Sequence, residues 1–262
     1  MDLATIIGIL LALGSLLVSV LLEQGNLIAL VNVPAAVIII GGTFGATMVC
    51  FPISAVKLLP KWFLIAIKER KSDTHQMIHK IVELAETARR EGILKLENMV
   101  EDLEDEFLRE GITLVIDGTD YEITKTILRT ELELMQERHR LGAKFFEAAG
   151  GFAPTMGIIG TVMGLVNVLG NLSDTASLGG SIATAFIATL YGISTANIFW
   201  LPLASKLKAR SESEVFVREI IIEGVLAIQA GESPRIIEDR LKSFLPPQER
   251  EIEKQEKVAT PA

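Results

Sequence analysis

The sequence predicts an all-α integral membrane protein: four transmembrane helices, a helical cytoplasmic insertion between spans two and three, and a cytoplasmic helical tail. Three observations predict it. Apolar residues make up 49% of the 262, and mean hydropathy is +0.40. These residues are clumped into long runs and not spread with a surface-helix period, which is the membrane pattern. Finally, Lys and Arg crowd one set of run ends and avoid the other, which orients the chain.

Residues 3–22 carry no charge and are long enough to cross a bilayer, which takes roughly 20 residues. Asp2 in place of a basic leader, and no small-residue cleavage site after the run, favour a retained span over a signal peptide. A second apolar run extends from Asn32 to about Leu59, with Gly41, Gly42 and Gly45 set for close helix contact and Pro52 and Pro60 marking its exit. Residues 152–169 and 182–203 form spans three and four, without a single Asp, Glu, Lys, Arg or His. Lys57, Lys61, Lys68, Arg70 and Lys71 follow span two, Arg138, Arg140 and Lys144 precede span three, and Lys206, Lys208 and Arg210 follow span four. The opposite turns hold only Glu23 and Asp174, so both termini are expected in the cytoplasm.

The expected divisions are 1–59 for the first two spans, 60–149 for the cytoplasmic helical domain, 150–204 for spans three and four, and 205–262 for the cytoplasmic tail. Ser72 or Asp73 is expected to cap a helix that stops at Gly92, and a second from about Lys95 to stop at Gly111. Thr119 to Glu122 has capping-box spacing, and the helix it starts repeats apolar residues at Ile127, Leu134 and Leu141 on its way towards span three. In the tail Gly231 ends a helix, Ser233-Pro234 opens another that Pro246-Pro247 closes, and residues 248–262 read as disordered.

Enzyme signatures are absent: no nucleophile elbow, phosphate loop or zinc-protease motif occurs, and catalysis is not expected. A formal charge of −8 and no basic patch interleaved with aromatics argue against nucleic acid. Lone Cys50 excludes a disulfide framework, and His75 with His79 lack the further ligands a metal needs. The two late spans are instead dotted with hydroxyls and small residues, as in helices packed closely together or around something polar. Proton relays through membranes use an intramembrane carboxylate or histidine. None stands in these spans, so an ion-moving role needs a titratable group from another polypeptide. The alternative is that the hydroxyls merely bond back to helix carbonyls.

Ala153-Pro154 with GIIGTVMGL at 157–165, then SIATAFIATLYGISTAN at 181–197 and LPLASKL at 201–207, resembles spans three and four of the flagellar motor stator family MotA/PomA. AETARREGILKLEN at 85–98 and LREGITLVIDGTD at 108–120 are similar to that family's cytoplasmic loop, and EGVLAIQAGESPRIIEDRLKSFL at 223–245 to its tail. The resemblance implies a multi-pass protein of the bacterial inner membrane, arranged as a pentamer around a dimer of the stator B subunit. That B subunit has one span, an ionisable Asp and a peptidoglycan-binding domain. Ion flow, H+ or Na+, would drive the ring to turn and push the flagellar rotor ring, with no cofactor and no metal. It further implies that Pro154, Thr155, Thr161, Phe186 and Thr189 face the ion pathway and B subunit, that Pro154 and Pro202 shape conformational coupling, and that Arg89, Arg90 and Glu97 contact the rotor. Thr161 resembles the sodium-driven branch, but Ala188 lacks a second hydroxyl that branch can offer, so the ion stays open. The rival readings are an ion-driven motor protein like ExbB/TolQ, expected to have three spans and an outside N-terminus, and a non-conducting membrane scaffold.

Overall fold

The structure, a computed structural model, describes residues 3–68, 74–170 and 175–248, and all regular elements among them are helical. The Ser72/Asp73 cap, the basic residues Arg70 and Lys71, Asp174 and the tail beyond Gln248 lie outside these residues. Four helices are long and apolar enough to cross a membrane: Leu3–Leu22, Leu27–Cys50, Tyr121–Gly170 and Leu178–Gln229. The chain divides into two compact units, residues 1–70 with 138–211 and residues 71–137 with 212–262.

The first unit holds the spans. Asn32 caps the second span by accepting from the Ala35 amide at 3.0 Å, and Pro34 fits the first turn, where no amide donor is needed. The helix ends at Cys50, and Pro52 starts a new turn that leads into helix Leu59–Ile67. Pro60 stands in the first turn of that helix, as its fixed φ permits at an N-terminus. Of the expected contact glycines in span two, Gly42 alone lies tight against a neighbour: a Cβ there would stand 2.8 Å from Met156 Sδ, while Gly41 and Gly45 have open space. An aromatic knot packs this unit, with the Phe145 ring 5.1 Å from Phe51, 6.2 Å from Trp62 and 6.0 Å from Phe146, centre to centre. Gly142 lets the ring come close, since a Cβ there would stand 3.1 Å from the Trp62 ring.

The second unit is a helical cluster over Ile81, Leu84, Ile112, Leu128, Ile221 and Val225, all fully buried. Helix Thr74–Glu91 ends at Gly92, whose φ of 93° suits a residue without Cβ. Gly111 does not end a helix, contrary to expectation. It lies inside Glu106–Ile116, where a Cβ would meet Val225 Cγ2 at 2.9 Å, so this glycine serves packing. The helix stops at Gly118, φ 70°, where the Thr119 amide bonds back to the Leu114 carbonyl at 3.1 Å. Asp120, and not Thr119, caps the next helix, accepting from the Glu122 amide at 2.9 Å. Tyr121–Gly170 then runs unbroken for 50 residues. Its buried face is Leu128, Met135, Gly142 and Ala149, one residue on from the expected register, and Leu134 is 55% exposed.

In the tail, Gly231 (φ 71°) ends the preceding helix and Ser233 caps Pro234–Lys242, which closes before Pro246. Arg240 joins that helix to Glu223 at 3.0 Å and Glu232 at 2.8 Å. Partial desolvation works against its charge, but the carboxylates of Glu232 and Glu223 outweigh it and hold the guanidinium above its ordinary value.

Candidate functional site

Spans three and four approach through glycine. A Cβ on Gly157 would lie 3.1 Å from the Ala188 carbonyl oxygen and from Thr189 Cα, and one on Gly192 would lie 2.5 Å from the Ala153 oxygen. Gly160 and Gly164 face the Ala188 and Ala185 methyls just as closely. Lipid supplies no hydrophobic drive for helix pairing, so close backbone contact and hydrogen bonds must hold the pair.

The seam brings two hydroxyls together. Thr161 Oγ1 bonds Thr189 Oγ1, and lies 3.0 Å from both the Gly157 and the Ala185 carbonyl oxygens. Thr189 Oγ1 is 3.4 Å from the same Gly157 oxygen. Four oxygens from two helices thus share two hydroxyl protons, at a half-buried spot with no charge of its own. Such a cluster can accept from an arriving donor or lend oxygens to a cation, without titrating.

The remaining expected residues are placed separately. Thr155, exposed, donates to its own helix at the Phe152 carbonyl, 2.8 Å, and Phe186 is 66% exposed on span four. Pro154 is inside the long helix and removes the amide that would serve the Gly150 carbonyl. Pro202 is exposed and follows a wide π turn, Ala196–Trp200, which relieves the pressure its ring would put on the Ile198 carbonyl. Arg89 and Arg90 end helix Thr74–Glu91 and Glu97 begins the following turn. All three are exposed and, among the described residues, share no ion pair; the salt bridge between them is Lys95 to Glu91, 3.7 Å. Arg89 and Arg90 instead line a surface groove of about 300 Å³ with Glu86, Ser233 and Arg235.

A further polar tie had no expectation attached to it. Tyr191 donates its hydroxyl to the Leu30 carbonyl and accepts from the Asn32 amide at 3.2 Å, while Asn32 Nδ2 donates to Thr184 Oγ1 at 2.8 Å. It borders a cavity of about 670 Å³ lined by Asn32, Asn167, Ser181 and Thr184. An Asn two residues before a Pro at the start of an apolar run was the available signal for its cap half.

Family models match most of the chain. Residues 99–220 match the MotA/TolQ/ExbB proton channel family, and residues 6–92 match the N-terminal region of motility protein A. Motility protein A of Bacillus subtilis is 42% identical over 251 residues, 95% of this chain and 93% of that one. The chain belongs to the motility protein A family. The N-terminal match separates it from the TolQ and ExbB branches of the wider family. Chemotaxis protein PomA of Vibrio alginolyticus is 35% identical across 97% of this chain and 99% of its own. Among solved structures, the flagellar MotAB stator complex from Bacillus subtilis superposes with a TM-score of 0.88 at 42% identity, covering 94% of this chain and 96% of that one. MotAB from C. jejuni gives 0.89 at 30% identity, with 94% and 97% covered.

Proposed function

We propose that this chain is the MotA-type component of a flagellar stator, an ion-driven torque generator that works only with a B subunit carrying the ionisable Asp. Membership of the motility protein A family and superposition on MotAB stator complexes support the stator role. The observation that carries the division of labour is the seam of spans three and four: a cluster of four oxygens without any carboxylate within either span. A cation or proton crossing there needs a titratable partner, which one B-subunit helix would present. The chain is then a multi-pass protein of the inner membrane, its termini in the cytoplasm, assembled as a pentamer around a B dimer, and not an enzyme.

Thr161 and Thr189 would solvate H+ or Na+ next to the partner's Asp, with Thr155 and Phe186 on the same path. Pro154 and Pro202, each lacking an amide donor, would let spans three and four bend as that Asp changes charge. Arg89, Arg90 and Glu97 would pass the motion to the rotor ring through exposed charges. One charge falling through 100 mV releases about 2.3 kcal/mol, an adequate drive for such a step. Co-purification from membranes tests the reading. A single-span, Asp-bearing, peptidoglycan-binding protein should accompany the chain; a chain that conducts ions alone in liposomes would refute it.

A further inference from the structure

Directly after span two ends at Cys50, the chain makes the turn Ile53–Val56 and the helix Leu59–Ile67. Between them Lys57 and Leu58 form a tight right-handed turn, at φ −64° and −86°, so the two pieces follow one another closely. One face of this segment is fixed to the protein: Trp62 and Ala66, one turn apart, are buried with Phe145, Leu203 and Leu207. Lys61 stands on the helix, with Lys57 in the turn before it and Lys68 at its C-terminal cap, all three clear of the buried Trp62 and Ala66. All three are exposed, and among the described residues none has an ion-pair partner. The Lys68 carbonyl is held by the Arg210 guanidinium, so the helix end is fixed without using the Lys68 ammonium.

Apolar residues flank the lysines. Leu64 is 65% exposed, Phe63 45% and Leu58 42%. Such a face is too apolar for water and too charged for the hydrocarbon core. It fits the boundary between headgroups and acyl chains, where lysine stems lie along lipid and the ammonium groups reach phosphate. The segment starts within a few residues of a membrane span, so that boundary is where the chain must place it. We propose that Lys57, Lys61 and Lys68 form a binding site for acidic phospholipid headgroups on the cytoplasmic leaflet, with Phe63 and Leu64 inserted among the acyl chains. The site rests on the topology that puts both termini in the cytoplasm. Its role is to hold the start of the cytoplasmic insertion at a set depth while spans three and four move.

The test uses the full chain reconstituted in nanodiscs of equal phosphatidylcholine and phosphatidylglycerol, with lipids retained on extraction counted by native mass spectrometry. The wild type should retain phosphatidylglycerol over phosphatidylcholine, and 0.5 M salt should erase most of that preference. Each basic side chain at an anionic surface contributes about 1 kcal/mol, so K57Q/K61Q/K68Q should lower the preference at least ~10-fold, while the triple Lys→Arg variant keeps it. No preference in the wild type, or an unchanged preference in the triple Gln variant, overturns the proposal. So does a triple Gln variant that loses its oligomeric size but keeps its lipids, because a second copy would then cover this face. Should that variant fail to fold, the salt dependence of the wild type decides alone. Impermeant maleimide labelling of K61C on a C50A background, in sealed right-side-out vesicles, separates the two levels: labelling without permeabilisation sinks the topology, and a protected K61C with no lipid preference sinks the site alone.

Discussion

Replacing Thr161 by Val separates an ion pathway from a packing seam. Valine keeps the branched shape and the rotamer, so the approach of Gly157 to Ala188 and Thr189 is undisturbed. The variant loses a hydroxyl that bonds Thr189 and lies 3.0 Å from the Ala185 oxygen on the facing helix. Hydrogen bonds between membrane helices are worth about 0.6 kcal/mol on average and about 1.7 at most. The Ala185 and Gly157 carbonyls keep their helical amides, so no buried acceptor is left empty. Lost stability is therefore about 1 kcal/mol, and the chain should reach the membrane at its normal level. A hydrogen bond to a charged group contributes more, about 1.5–3 kcal/mol, so an ion deprived of it should pass at least ~10-fold less readily. Rotation of tethered cells should fall accordingly. Thr195→Val is the control: that hydroxyl bonds its own helix at the Tyr191 carbonyl, 2.7 Å, and rotation should persist. A Thr161→Val chain present at the normal level and turning cells at the normal speed would refute the pathway assignment.

Three other outcomes follow from the packing and the charges. Gly192→Ala sets a methyl 2.5 Å from the Ala153 oxygen, a backbone atom that cannot swing away, so the spans must part at a cost of about 1–3 kcal/mol; denaturation in detergent should show it. Gly111→Leu should destabilise the second unit by at least as much, since Val225 Cγ2 and Leu128 fill the space, and urea sensitivity of the helical signal reads the loss. Arg89→Glu should abolish swimming with unchanged membrane levels, because the side chain is exposed and no fold contact depends on it; normal swimming in it and in Glu97→Lys would remove both from the rotor surface.

The spans and the helix stops at Gly92 and Gly231 were legible because each depends on local chemistry: apolar run length, or a positive φ that glycine tolerates. What misled was the second meaning of the same residues. Gly111 follows the charged pair Arg109-Glu110 as a helix terminator can, yet Val225, more than a hundred residues away in sequence, decides its role. The apolar repeat at Ile127, Leu134 and Leu141 is real, but the buried face runs one residue later, through Leu128, Met135 and Gly142, and the Trp62 ring lies close against that glycine. The resemblance singled out Thr161 and Thr189, and their junction across the seam emerged only with the helices in place. The tie from Asn32 to Tyr191 joins residues 159 apart, and no periodicity announces such a pair.

That tie also differs from the threonine seam in how much water can replace it. Tyr191 satisfies the Leu30 carbonyl and the Asn32 amide, and Asn32 lines a cavity of about 670 Å³ with mixed polar and apolar walls, roomy enough for water to reach the freed amide. Tyr191→Phe should therefore cost under about 1 kcal/mol, below the 1–3 of a buried group left unpaired. Asn32 does more, because a leucine there loses two bonds at once. Its side chain caps the second span at the Ala35 amide, 3.0 Å, and also donates to Thr184 at 2.8 Å. Asn32→Leu removes a cap, about 1 kcal/mol, together with the bond that holds span two to span four. Unfolding in mixed micelles should rank Asn32→Leu well below Tyr191→Phe. Equal losses would mean that the cavity is dry and that the tyrosine hydroxyl alone holds the outer ends of the spans together.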